Sequence, residues 1–357
     1  MKVRLKEISH LKYGKMPDKR KVSAKGYPIF TGYKISGFYP EYMYDKSVII
    51  VVARGVGGTG DVKLAPARSF ITNLSIIVDI IESKIVNKKY LQLLLNSMNL
   101  RSLDSGSAQS QITITALSNV EIDLPSKKIQ NQIANKINLL ERKIELNNQI
   151  NDNLLNLLDT IYRHSWANHP NKAKKTLGDL FTTNSTTFKV KDHYNEKVWH
   201  FSIPNFDNEK YPTLDLVNDI KSNKTIVKPY SVLISKLNPS VKRIWAPNAT
   251  PFIHYTNVCS TEFIPVSGRN IKEQAVLFAI VNNDSFINYL ASNATGSTNS
   301  RQRVKPSDIF SYVLPMDVDP LLEYQDQFGK ILNQVQLNQS EINHLGKLKA
   351  ELLKKFF

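Results

Sequence analysis

Gly106-Ser-Ala-Gln-Ser-Gln-Ile-Thr-Ile and Gly296-Ser-Thr-Asn-Ser-Arg-Gln-Arg-Val decide how this chain is read, because they are one pattern written twice. Each is followed by a proline 19 residues after its glycine, Pro125 and Pro315, and the copies lie 190 residues apart. A repeat on this scale fixes the architecture before any single motif can. The match extends outward: Leu5-Lys-Glu-Ile parallels Leu177-Gly-Asp-Leu, the apolar run 47–54 parallels 231–236, and Thr72-Asn73 parallels Thr256-Asn257. The offset grows from 172 to 191 along the copy, which places insertions in the first half of the second unit.

After each proline comes a long helical pattern. Over 129–167 the residues Ile133, Ile137, Leu140, Ile144, Asn147, Asn151, Leu154, Leu158 and Ile161 alternate steps of four and three. Over 319–357 Phe328, Ile331, Val335, Asn338, Ile342, Leu345, Lys349, Leu352 and Phe356 do the same. Such a heptad seam supercoils against a partner helix, and an Asn in the seam fixes register at a cost in stability. One chain supplies both helices, so they are expected to pair with each other as a rigid spacer, each about 57 Å long. The remaining segments, 1–128 and 168–318, read as β-rich globular units with short helices. Strands are expected at 48–53, 70–78 and 232–235 and helices at 90–98 and 273–281. The fold class is α+β: two globular domains in tandem repeat, each followed by a long helix.

Charge points to the partner. Of 357 residues, 47 are Lys or Arg and 31 Asp or Glu, a formal net charge of +16. Ten of the cations fall within residues 1–34. A long-range positive field favours polyanions, and the chain shows no basic amphipathic helix of the membrane-surface kind. The longest apolar runs are too short to span a bilayer, and residues 1–7 lack the apolar core of a secretion signal. A single cysteine, Cys259, excludes an internal disulfide and a cysteine-based zinc site. A reducing cytoplasm fits this composition.

Three catalytic patterns fail on context. Gly55-Val-Gly-Gly-Thr-Gly matches a dinucleotide loop, with Asp79 spaced as a ribose-binding acid. Such a loop must open a helix, whereas Asp61-Val-Lys-Leu-Ala-Pro alternates like a strand, so a glycine hairpin beside Arg54 is expected. Asn238-Pro-Ser-Val lacks the second proline and the aromatic residue of the amino-methyltransferase motif, and reads as a turn. Asp123 with Glu141-Arg-Lys143 satisfies a loose nuclease pattern, but Glu141 and Lys143 sit on the long helix, where alternating charge is a solvated face. The seven histidines have no metal-ligand spacing, and no metal is expected.

The candidate DNA contacts come in two sets. Lys15, Lys19, Arg20, Lys21, Arg54 and Arg68 belong to the first half, with Ser107, Gln109 and Gln111 of its Gly-Ser loop. Lys236, Lys242, Arg243, Arg301 and Arg303 belong to the second, with Ser297 and Asn299. Cations and hydroxyls bind phosphates, while Gln, Asn and Arg can fork onto base edges; the two Gly-Ser loops read equally as structural turns that cap the next element.

The whole chain resembles the specificity subunit of type I restriction–modification systems. The resemblance is carried by Leu5-Lys-Glu-Ile, Gly14-Lys-Met-Pro, Tyr27-Pro-Ile-Phe-Thr-Gly, Ala53-Arg-Gly, the first Gly-Ser loop, Ile122-Asp-Leu-Pro and Gln132-Ile-Ala. The second half repeats the scheme with Glu262-Phe-Ile and the second Gly-Ser loop. It departs where Gln302-Arg-Val replaces Ile-Thr-Ile and where Asp319-Pro320 precedes its helix. The resemblance implies a non-catalytic subunit whose target-recognition domains, 1–128 and 168–318, each read one half of a gapped double-stranded DNA site. It implies that the helices 129–167 and 319–357 pair antiparallel and dock two adenine methyltransferase subunits. S-adenosylmethionine would be bound by those partners and no cofactor by this chain, and the complex can recruit a translocating nuclease (restriction) subunit. Two other classes are a stand-alone pseudo-dimeric DNA-binding protein or repressor, and an enzyme with its own nuclease or methyltransferase activity.

Overall fold

A computed structural model describes residues 1–55, 58–104, 110–168, 174–183, 186–252, 254–296 and 302–357, with backbone alone at 166–168. It is a mixed α+β structure whose contacts form two compact units, Met1–Glu141 with Leu348–Phe357, and Arg142–Lys347.

The first unit contains β1 (Lys2–Arg4), α1 (Leu5–Ile8), β2 (Ser9–Tyr13), β3 (Tyr27–Phe30), β4 (Ile35–Tyr39), β5 (Val48–Val52), β6 (Val62–Ala65), β7 (Phe70–Ile71) and β8 (Ser75–Ile80). There follow α2 (Lys88–Ser97), α3 (Ile114–Ser118), β9 (Glu121–Asp123) and the start of α4 (Lys127–Asn168). The strands form an antiparallel sheet in the order β2-β8-β5-β6, a second sheet β4-β3-β7, and the pair β1-β9. Strand β5 is buried on both faces, which is why it reads as an unbroken β-branched run. Ile49 and Val51 face a core that includes Leu91 and Leu95 of α2, and Val48 and Ile50 face Ile71 and Ile77. The expected single strand at 70–78 is two strands. Phe70–Ile71 pairs in parallel with β3, the chain turns at Thr72, and Ser75–Ile80 joins the other sheet.

The second unit opens with the remainder of α4, followed by α5 (Leu177–Leu180), β10 (Thr187–Phe188), β11 (Lys197–Phe201), α6 (Ile203–Asn208), β12 (Thr213–Leu216), β13 (Lys224–Ile226) and β14 (Ser231–Ser235). It continues with β15 (Ile244–Trp245), β16 (Thr256–Cys259), β17 (Phe263–Ser267), α7 (Ile271–Val281), α8 (Asp284–Ser292), α9 (Pro306–Phe310), α10 (Asp319–Glu323) and α11 (Gln325–Phe356) up to Lys347, the end of α11 belonging to the first unit. Its sheets run β10-β13-β16-β11-β12 and β15-β14-β17. Helix α7 starts where Asn270 caps the amides of Lys272 and Glu273, and it is buried from Gln274 to Val281.

A buried glutamine keys each long helix to its unit. In the first, Gln130 of α4 donates to the carbonyls of Ile85 and Pro125 and accepts from the Asn87 amide. In the second, Gln336 of α11 donates to the Ala246 carbonyl and to Gln274, which itself donates to the carbonyls of Ser231 and Pro247.

The heptad positions are all buried or half-buried. On α4, Ile133, Ile137, Asn147, Asn151 and Leu158 are buried, and Leu140, Ile144, Leu154 and Ile161 are half-buried. On α11, Phe328, Ile331, Asn338 and Leu345 are buried, and Val335, Ile342, Lys349 and Leu352 are half-buried. Within the second unit Asn338 donates to Asn151 at 2.8 Å, Asn147 donates to Glu341 at 2.8 Å, and Lys143 pairs with Glu341. Residue numbers therefore fall on α11 as they rise on α4. Within the first unit Glu141 accepts from Lys89 (2.7 Å) and Lys349 (3.0 Å). Burial alone would raise its pKa, but the two ammonium groups outweigh it and hold the carboxyl below the usual range.

Candidate nucleic-acid interface

In each unit the central apolar strand delivers a cation to the sheet's end, where the segment from the Gly-Ser loop meets it. In the first unit β5 runs into Ala53 and Arg54. Arg54 bridges antiparallel to Gln111, and Ile112 donates its amide to the Ala53 carbonyl at 3.0 Å. Asp104 accepts the Gln111 amide at 2.7 Å and the Ser110 hydroxyl, fixing the stem of the loop. The Arg54 guanidinium is exposed and lies over the Tyr13 ring, 5.8 Å from its centroid.

In the second unit β14 runs into Lys236 and Leu237. Leu237 bridges antiparallel to Arg303, and Val304 donates its amide to the Lys236 carbonyl at 3.2 Å. Here the arginines are held by acids. Arg303 forks onto Glu262, Nε at 3.1 Å and Nη2 at 2.9 Å, which raises its pKa further. Arg243 forks onto Asp207 at 2.8 and 2.9 Å, its side chain 15% exposed, and Lys242 lies 3.6 Å from Asp284.

The other expected contacts are distributed as follows. Lys15 bridges to Thr72, which precedes the Leu74 carbonyl that accepts the amides of Ala53 and Arg54. Lys19, Arg20 and Lys21 form one 3-10 turn capped by Asp18, onto which the Arg20 side chain folds. Arg68 lies past the end of β6, opposite the β5 end that carries Arg54, and sits 3.9 Å from Asp45. Ser107, Gln109, Ser297, Asn299 and Arg301 fall outside the described residues.

The described glycines Gly58 and Gly60 lie in the hairpin between β5 and β6, the glycine hairpin expected beside Arg54. Val52 donates to the Asp61 carbonyl, Gly60 donates back to Val52, and β6 follows where a nucleotide-binding loop would need a helix. Asn238 turns the chain at φ 48°, its carbonyl accepting the Val241 amide. The loose nuclease pattern separates: Glu141 is held by Lys89 and Lys349, and Lys143 by Glu341. Among the described residues no His, Cys, Asp or Glu group could hold a metal ion, and no helix is long and apolar enough to cross a membrane.

One functional candidate escaped the sequence reading. Tyr33, 53% exposed at the tip of the β3–β4 hairpin, donates its phenol to Asp61 at 3.1 Å. Burial of the hydroxyl end and the nearby carboxylate push its pKa up to about 12. A Cβ at Gly58 would stand 1.4 Å from the phenol oxygen, so Tyr33 needs the glycine beneath it. Its only sequence signal was an aromatic residue after Thr31-Gly32 among lysines.

Exposed cations, amide-bearing loop stems and a pinned aromatic at a sheet end are groups that can bind nucleic acid. Residues 1–156 match the family model described as the type I restriction modification DNA specificity domain. The fold of the full chain is similar to that of the type I restriction-modification system S subunit from M. genitalium: 18% identity, TM-score 0.69, covering 100% of this chain and 96% of that one. The HsdS subunit from Thermoanaerobacter tengcongensis aligns over 99% of this chain and 95% of its own at 16% identity, with a TM-score of 0.33. A chain from a structure of type I R-M system assembly aligns over 99% and 96%, also at 16% identity, with a TM-score of 0.38. No curated protein sequence matches the chain.

Proposed function

We propose that this chain is the specificity subunit of a type I restriction–modification complex, two tandem target-recognition domains that each read one half of a gapped DNA site. The observation that carries this reading is the paired strand end. Arg54 with Gln111 in one unit and Leu237 with Arg303 in the other hang the repeated Gly-Ser segment from the same place on the central strand. Helices α4 and α11 then act as an antiparallel coiled-coil spacer, and the contacts of Asn151 with Asn338 and of Asn147 with Glu341 are the register marks that reading needs. Half-sites read from one face of the duplex lie about one helical turn, roughly 10 base pairs, apart.

Leu146, Ile150 and Leu157 stand exposed on α4 at steps of four and seven, an apolar stripe that suits a protein partner. We assign it to adenine methyltransferase subunits, which would bring the S-adenosylmethionine; a nuclease subunit would join through them. Exchanging residues 1–125 for those of another recognition domain tests the modular reading through the methylated motif. One half of the target should change, with the other half and the gap retained. A change in both halves would contradict it.

A further inference from the structure

The geometry points to Asp61, held by Tyr33, as the group in the first recognition unit that reads an exocyclic amino group, the N6 of adenine or the N4 of cytosine. This rests on the proposed DNA-recognition role and adds to it a base-discriminating residue and its chemistry. Asp61 closes the tip of the β5–β6 hairpin, the structure that presents Arg54. Its main chain is committed, the carbonyl accepting the Val52 amide and the amide donating to Gly58, so the backbone alone fixes its position. Its side chain remains about half exposed.

A carboxylate on a DNA-facing surface repels phosphates. It suits such a surface only where it meets a cation of its own or a donor on a base edge. Lys63 supplies a cation at 3.8 Å, but both side chains are nearly half exposed, and such surface pairs are weak. Lys63 also stands 5.7 Å from the centre of the Tyr33 ring, dividing its charge between two neighbours. In the major groove the amino groups of adenine and cytosine are the donors that a carboxylate can accept.

The arrangement around Asp61 is one of restraint. Tyr33 approaches from a different hairpin and donates to one carboxylate oxygen, Oδ2, leaving Oδ1 for a ligand. Gly32, at φ +101°, turns the chain so that the ring can reach across, and Gly58 leaves the space in which the phenol lies. An exposed tyrosine that requires two glycines and stays bonded to a carboxylate is pre-organised, which lowers the ordering cost of binding. Asp61 makes the contact, and Tyr33 is a positioning residue.

The test maps methylated adenines genome-wide in cells carrying the gene and its partner methyltransferase, with wild-type chain, Asp61→Asn, Asp61→Ala and Tyr33→Phe. A wild-type map without a two-part motif would remove the DNA-specificity reading itself, independently of Asp61. Given a wild-type motif, both Asp61 variants should accept additional bases at one position, an adenine or cytosine in one half, with every other position and the gap unchanged. Tyr33→Phe should loosen the same position less, because the carboxylate remains. An unchanged motif in both Asp61 variants would overturn the assignment, as would methylation lost at all sites alike, which marks a structural role.

Discussion

The two strand ends share a frame and differ in how their charge is held. In the first unit Arg54 rests on the Tyr13 ring, and the glycine hairpin beside it carries Asp61, to which Tyr33 of another hairpin donates. In the second unit Arg303 and Arg243 are each forked onto a carboxylate, Glu262 and Asp207. The lesson is that the strand and the returning loop stem form the constant part, and the side chains placed on them are free to diverge. Under the proposed reading of two unlike half-sites, that freedom is what recognition requires. A forked arginine is aimed before binding but has part of its charge already neutralised; an arginine on an aromatic face keeps its full charge for a phosphate.

The strongest way to break the comparison is to unseat one unit and leave the other. Gln130→Leu removes the partner of two carbonyls and one amide in the first unit, and should cost about 1–3 kcal/mol in urea unfolding. Gln336→Leu orphans the Ala246 carbonyl and the Gln274 side-chain oxygen in the second, and should cost an amount in the same range but smaller than Gln130→Leu. A loss below about 0.5 kcal/mol for either would remove that glutamine as the key of its helix.

A smaller effect sharpens the comparison. Arg54→Ala should weaken DNA binding and reduce the slope of log affinity against log salt by about one. Arg243→Ala, with its charge already met by Asp207, should reduce the slope by less. Equal reductions in titrations across salt concentrations would mean that the forked pair opens on DNA and that the two strand ends act alike.

Local pattern made much of this molecule legible. The β-branched run at 48–53 is β5, and the expected helices at 90–98 and 273–281 are α2 and α7, starting two residues earlier at caps supplied by Asn87 and Asn270. The break between Phe70–Ile71 and Ser75–Ile80 was not legible, because passing from one sheet to another leaves the alternation intact. Nor was the five-stranded sheet, whose parallel β11–β16 pair joins segments about 58 residues apart with no local signal. At the site, Arg54 and Gln111 were visible as a cation after a strand and an amide in a repeated loop. Asp61 was not, since its role depends on Tyr33 arriving from another hairpin. Gln130 and Gln336 look like ordinary polar helix residues until the carbonyls they satisfy are in place.

The central claim is that this chain sets a two-part DNA target. The most direct test is the genome-wide map of methylated adenines in host cells with and without the gene. The account predicts a motif of two unlike halves at a fixed gap, present with the gene and lost on its deletion. An unchanged map in cells shown to express an active partner methyltransferase would contradict it.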